Sequence, residues 1–165
     1  MTNKIEYRAA SPKDAKDMIT VQFKAVQSIP KEEYTKQILS AWSPKPNSER
    51  VQWLAAFIKN DNVRCFVATN KKSKVLGVAI YLIAEQCIRS LYVDPKHSGN
   101  GIGTRLLNKI ERLANKKAVD KLNLKASMNS ISFYKSLGYK KIEEARQLLS
   151  NGSSMDTVFM EKALN

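Results

Sequence analysis

The stretch LYVDPKHSGNGIGTRLL, Leu91 to Leu107, decides how the rest of the chain is read. It opens on apolar residues that end at Asp94-Pro95, which suits the close of a strand. Gly99, Gly101 and Gly103 follow, each one residue apart. A helical pattern begins at once. Ile102, Leu106, Leu107, Ile110, Leu113 and Ala114 fall on one face, with Arg105, Asn108, Lys109, Glu111, Arg112 and Lys116 on the other. Glycine at this density lets backbone turn tightly or come close to a ligand. The P-loop needs Lys and Ser/Thr after its last glycine, and here Gly103 is followed by Thr104-Arg105. The dinucleotide fingerprint needs two residues between its second and third glycines, so it fails on spacing. What remains is either a connecting turn or a nest of backbone amides ahead of a helix N-terminus. The strand–glycine–helix context favours the nest, which suits an anion.

Outward from this segment, the chain alternates between the two periods of regular structure. Ile5 to Arg8 reads as a strand. Ser11-Pro12-Lys13-Asp14 reads as a helix start, with the helix running to about Ser28. EEYTKQILSAW places Tyr34, Ile38 and Trp42 at four-residue spacing, which predicts a second helix. Ser43 to Ser48 is a loop, and RVQWLAAFI a short helix or a strand. VRCFVAT and VLGVAIYLI form an antiparallel pair joined through Lys71–Lys74, and CIRSLYV adds a third strand. After the central helix come the strand KLNLKAS and the short helix NSISFYKSL, with Gly138 at its left-handed cap. KKIEEARQLL and MDTVFMEKAL are two final strands around Asn151-Gly152. The order is a mixed sheet with helices packed on it.

At 165 residues the length fits one domain with a real core. No apolar run approaches the roughly 18 residues of a membrane span. The N-terminus lacks the apolar centre of a signal peptide, so the expected location is the cytoplasm, with no membrane partner. Cys65 and Cys87 read as small apolar residues rather than a disulfide. With one histidine and two separated cysteines, no metal site of known spacing exists. The net charge of +13 is spread in short lysine pairs, without a basic run interleaved with aromatics. A solvated basic surface or attraction of an anionic ligand explains it better than specific nucleic-acid binding. Homodimerisation stays open.

LYVDPKHSGNGIGTRLL resembles the acetyl-CoA-binding motif of the GNAT acetyltransferases. In that family a strand ending L-x-V-x-P leads to [Q/R]-x-x-G-x-[G/A] at the start of a helix. Here Ser98-Gly99-Asn100-Gly101-Ile102-Gly103 takes that place. A second stretch, Asn129 followed by Phe133-Tyr134 and Gly138-Tyr139, resembles the family's Asn…Phe-Tyr…Gly-[Phe/Tyr] segment, with one residue of difference in spacing. The resemblance spans nearly the whole chain, 1–165, as one N-acetyltransferase domain. It implies an α/β fold: a mixed, mostly antiparallel sheet of six to seven strands flanked by helices, with one splayed parallel pair. It also implies acetyl-CoA as cosubstrate, without a metal, and an amine acceptor, either a small molecule or a peptide. A GNAT-fold module that binds an acyl-CoA without transfer is the alternative.

The resemblance assigns residues. The pyrophosphate would lie on Ser98, Gly99, Asn100, Gly101, Ile102, Gly103 and Thr104. Leu91, Tyr92 and Val93 would flank the pantetheine arm and polarise the thioester carbonyl. Ser98 departs from the usual Gln or Arg, which leaves Arg105, Lys96 and the basic field to compensate. Tyr134 matches the position whose phenol serves as general acid. Asn129 matches the pantetheine contact and could also cap the following helix. Strict alternation puts Glu85, Cys87, Arg89, Leu91 and Val93 on one face. Related sequences often carry an acid where Arg89 stands. An arginine cannot act as base, so Glu85 through water is the candidate base and Arg89 a candidate for a substrate carboxylate or phosphate. Tyr34, Trp42 and Trp53 are candidates for the acceptor pocket, with core packing the competing role.

Overall fold

The computed structural model describes residues 4–164. Seven strands form one sheet in the order β1-β2-β3-β4-β5-β7-β6. They are β1 (Glu6–Ala9), β2 (Val63–Thr69), β3 (Val75–Leu82), β4 (Cys87–Val93), β5 (Lys121–Ser127), β6 (Lys140–Leu148) and β7 (Ser154–Ala163). Five helices flank it: α1 (Ala15–Gln27), α2 (Lys36–Trp42), α3 (Ser48–Phe57), α4 (Ile102–Lys116) and α5 (Ile131–Ser136). Neighbouring strands run antiparallel except β4 and β5, which are parallel. The expected mixed sheet with one parallel pair is therefore present. Among the described residues no helix is long and apolar enough to cross a membrane.

The sheet is covered on both faces, which is why β3 is apolar at almost every position rather than alternating. On one face α4 lays Ile102, Leu106, Leu107, Ile110 and Ala114 against Ala79, Tyr81 and Ile88. All five helix residues are essentially inaccessible. Gly77 permits this fit: a Cβ there would sit 2.7 Å from Ile102 Cγ2 and 2.9 Å from Leu106 Cδ1. On the other face α1 and α3 pack Met18, Ile19, Val21 and Leu54 on Val67, Val78 and Ile80.

Two sequence expectations shift, and one open choice is decided. α2 starts at Lys36, not Glu32, because Thr35 caps it: its hydroxyl accepts the Ile38 N–H at 3.2 Å. Tyr34 thus lies ahead of the helix rather than on its face. RVQWLAAFI resolves as helix: Arg50 to Phe57 lie in α3 and Ile58 is its C-cap. Third, β4 does not alternate strictly. Tyr81 pairs with Ile88 and Ile80 with Ser90, leaving Arg89 as an extra residue in a bulge. The bulge inverts the faces on either side of it. Ile88, Leu91 and Val93 point to α4, while Tyr92 points to α1 and α3. The shared face expected for Cys87, Arg89, Leu91 and Val93 is therefore broken between Arg89 and Leu91.

Candidate active site

The end of β4 is anchored first. The Asp94 N–H donates to Leu76 O at 2.8 Å, and its buried carboxylate accepts the Lys96 N–H at 2.9 Å. Pro95–His97 forms a single 3-10 turn. Gly99 and Gly101 both adopt φ of 79°, a conformation that disfavours any side chain. A Cβ at either would meet nothing within 4 Å, so the glycines face open space. Gly103 differs: it sits inside α4, and its Cβ would lie 3.4 Å from Phe133 Cζ. Among the described residues, none of the amides from Gly99 to Thr104 has an intramolecular acceptor. Six free donors thus cluster at the start of α4, where the helix dipole adds positive potential. The Ser98 hydroxyl donates to Pro95 O at 3.0 Å, and Asn100 Nδ2 to His97 O at 3.2 Å. These side chains hold the loop's shape. The Arg105 guanidinium sits over the Tyr7 ring, 5.8 Å from its centroid.

Beside this loop the sheet opens. β4 and β5 share one register pair, Cys87 with Asn123, whereas β5 stays paired with β7 from Lys121 to Ser127. The Asn123 N–H donates to Gln86 O at 3.0 Å, and its Nδ2 to Glu85 O at 2.9 Å. Beyond that clamp the parallel strands separate. Because the Asp94 amide bonds back toward β3, alternation turns the Leu91 and Val93 amides to the opposite edge, into the gap.

A cavity of about 1120 Å³ fills the opening. Its wall includes Leu91, Tyr92, Val93, Ser98, Asn129 and Tyr134 from the sequence-derived set, together with Arg89, Trp42 and Trp53. Tyr134 is 7% exposed and packs edge-on against Phe133 and Tyr139, with centroids 5.2 and 5.7 Å away. Its hydroxyl makes no hydrogen bond among the described residues. Burial, with Tyr92 and Cys87 nearby, pushes its pKa well above the ordinary phenol range. Asn129 is exposed at the rim. Ser130, not Asn129, stands at the N-cap of α5, and it makes no side-chain cap bond: its hydroxyl donates to Ser127 O at 2.9 Å.

Two sequence candidates lie elsewhere. Tyr34 is buried outside the cavity wall, donating to Asp156 O at 2.5 Å and accepting the Met128 N–H at 2.8 Å. It ties the loop before α2 to β7. Glu85 sits exposed in the β3–β4 turn, where its carboxylate accepts from Asn62 Nδ2 at 2.9 Å. The structure does not bring it to the cavity. Sequence reasoning also missed wall residues: Arg50 on α3, Lys125 on β5 and Thr157 on β7. Alternation in KLNLKAS could have flagged Lys125. Nothing local marks the other two. The Tyr92 hydroxyl accepts from Trp42 Nε1 at 3.2 Å, fixing the indole at the wall.

Comparison with known proteins agrees with this geometry. Residues 30–163 match the family model described as an acetyltransferase (GNAT) domain. An uncharacterized N-acetyltransferase of Methanocaldococcus jannaschii is 28% identical over 152 residues, which cover 82% of this chain and 61% of that protein. The protein YdhI of Bacillus subtilis is 25% identical over 131 residues, 73% of this chain and 82% of that one. A GCN5-related N-acetyltransferase structure from Rhodopseudomonas palustris superposes with a TM-score of 0.85 at 23% identity, covering 99% of each chain. The PaiA N-acetyltransferase of Thermoplasma acidophilum, solved with coenzyme A, gives 0.76 at 21% identity, covering 97% of this chain and 99% of that one. With the domain model spanning most of its length, the chain belongs to the GNAT acetyltransferase family.

Proposed function

We propose that the chain is an N-acetyltransferase that moves an acetyl group from acetyl-CoA to a primary amine by direct attack, with both reactants held at once. One observation carries this: β4 and β5 part beside a loop of free amides, giving an anion site and an extended slot in one line. These residues fit the cosubstrate. When bound, acetyl-CoA supplies an activated thioester. The amides of Gly99 to Thr104 take the pyrophosphate oxygens. The Leu91 and Val93 amides face the slot, offer strand-like pairing to the pantetheine arm, and donate toward the carbonyl oxygen as it gains negative charge. Asn129 stands at the rim for the same arm. Tyr134 holds a proton at its hydroxyl for the departing sulfur. Its raised pKa keeps that proton in place near neutrality.

The amine enters from the α1 and α3 side, past Trp42 and Trp53. The cavity wall contains one carboxylate, Glu49, and no histidine among the described residues, so the amine's proton leaves through water. Calorimetry with acetyl-CoA and coenzyme A, followed by a thiol-release screen of amines, tests the reading. Saturable binding with amine-dependent thiol release is expected. A flat trace at millimolar ligand ends the proposal, and binding without turnover of any amine favours a non-catalytic acyl-CoA module.

A further inference from the structure

The side of the cavity away from α4 is unusually cationic. Its wall carries Arg50, Arg89 and Lys125 against the single acid Glu49, which is exposed at the start of α3. None of the three cations has a carboxylate within 4.0 Å among the described residues. Arg89 and Lys125 are exposed at the wall and Arg50 is half-buried, so all three are within reach of an anion that enters the cavity.

Arg89 is the best placed of them. The β4 bulge lifts its side chain onto α3, where the guanidinium carbon lies 5.9 Å from the Trp53 centroid and 5.4 Å from that of Phe57. Those two rings are themselves stacked at 4.8 Å and 14°. A cation–π contact of this kind draws on the guanidinium charge without using its N–H donors. Among the described residues no protein acceptor takes them. Arg89 is an exposed residue at the cavity rim, and a planar fork of unused donors is the form that receives a carboxylate in two parallel hydrogen bonds. Arg50, one helical turn before Trp53, is held only by neutral groups: Pro44 O and, at 3.3 Å, Gln22 Oε1. Burial disfavours its charge, which a nearby anion would relieve. Across the cavity Thr157 is 4% exposed and its hydroxyl has no partner. That oxygen is itself closed off from the cavity, so it marks a buried polar spot in the wall and not a ligand contact.

Accepting the proposed acetyl transfer, on which this rests, we infer that the acceptor is a small amine carrying a carboxylate, of amino-acid type, with that carboxylate held by Arg89. The arrangement also bears on reactivity. Only a neutral amine attacks, and uncompensated positive charge around an amine favours its neutral form. The cations therefore bind the carboxylate and ready the amine in one step. The same charges disfavour polyamines and lysine-rich tails.

The test uses the full chain with acetyl-CoA and matched amine pairs: phenylalanine against phenethylamine, methionine against its decarboxylated amine, and phosphoethanolamine against ethanolamine. Thiol release gives kcat/KM for each. The carboxylate-bearing member is expected to be preferred by about tenfold or more, chiefly through KM, as befits a charged hydrogen bond in a partly buried site. Arg89→Gln is expected to bring that ratio close to one, and Arg89→Lys to give an intermediate value. The coenzyme A Kd of each variant, measured by calorimetry, shows that the fold and the cosubstrate site survive the change. Equal or better turnover of the decarboxylated amines overturns the inference, as does a ratio that Arg89→Gln leaves intact. Preference confined to phosphoethanolamine overturns the carboxylate assignment. If coenzyme A binds but no amine of the panel reacts, this inference fails while the cosubstrate site stands. If coenzyme A does not bind, the acetyltransferase reading fails first and this one falls with it.

Discussion

Replacing Tyr134 with phenylalanine separates chemistry from packing unusually cleanly in this structure. Phenylalanine keeps the ring, so the edge-on contacts to Phe133 and Tyr139 at 5.2 and 5.7 Å survive. The hydroxyl that is removed has no protein partner among the described residues. Its loss should therefore cost stability no more than about 0.5 kcal/mol, the range of a substitution that breaks no buried network. Catalysis should respond very differently. A positioned proton donor contributes typically 10²–10⁴-fold. A fall of about 100-fold in kcat corresponds to roughly 2.7 kcal/mol of transition-state stabilisation. The KM for acetyl-CoA should stay within about threefold, because the phenol is asked to act on the departing sulfur and not to bind the ground state. The sign of the pH effect is also fixed. Burial raises the Tyr134 pKa, so the donor remains protonated through neutrality, and loss of this proton should impose no alkaline limb on kcat below about pH 10. The assay is steady-state thiol release on both proteins, with coenzyme A titrations and urea unfolding alongside. A kcat within threefold of the unmodified protein would refute the assignment. A stability loss above about 2 kcal/mol would show instead that the hydroxyl is a structural element.

Other perturbations test the frame around the site. In Gly77→Ala the new methyl meets Ile102 Cγ2 at 2.7 Å and Leu106 Cδ1 at 2.9 Å, so the first turns of α4 must shift. Urea unfolding should show a loss of about 1–3 kcal/mol, and calorimetry a weaker coenzyme A affinity, because the same turns carry the free amides. Cys65 is buried in the sheet, which pushes its thiol from 9.0 up to about 11. A pKa raised in the folded state leaves stability intact below pH 9 and erodes it as pH rises toward 11, by at most about 2.7 kcal/mol. Cys65→Ala should flatten that part of the stability–pH curve, and an unchanged alkaline slope would exclude this thiol as its source.

What was legible in the sequence was what one element decides by itself. The α4 stripe repeats at helical spacing over four turns, and nothing else in the chain competes with that pattern. The glycines before it were legible because backbone at φ of 79° leaves few other residues available. The bulge at Arg89 was not legible. CIRSLYV has apolar residues at both parities, and which residue is extra depends on the register against β3. That single insertion moved Leu91 and Val93 to the α4 face and sent Arg89 to α3. Tyr34 misled for a related reason. Its spacing from Ile38 and Trp42 is helical, but Thr35 takes the N-cap and leaves Tyr34 outside the helix, held by β7 and Met128. Arg50, Lys125 and Thr157 come from three elements that meet only once the sheet and helices have packed, so no local spacing could join them.

The glycine loop beside the cavity and the α3 side of the cavity wall handle negative charge by different means, and the difference explains why only one of them could be read in advance. At the α4 end, neutral amides and a helix dipole do the holding. Such a site constrains backbone and so demands glycine. A long polar side chain at position 98 is then dispensable: Ser98 spends its hydroxyl on Pro95, and the donors from Gly99 to Thr104 remain. At the α3 end, full positive charges on side chains do the holding, and side chains can be recruited from anywhere in the chain. Their effect also differs in kind. Amides stabilise an anion without changing the protonation of a neighbouring amine very much, whereas charged side chains act at longer range: Arg89 favours the ionised forms of Cys87 and Tyr92, and Lys125 that of Cys87. An amino acid arrives as a zwitterion, and the form that attacks is its anion. A chamber with three cations and one exposed acid favours that form. A wall that among the described residues offers no histidine and no buried carboxylate is then consistent with catalysis, because the field that selects the acceptor also lowers the cost of removing its proton.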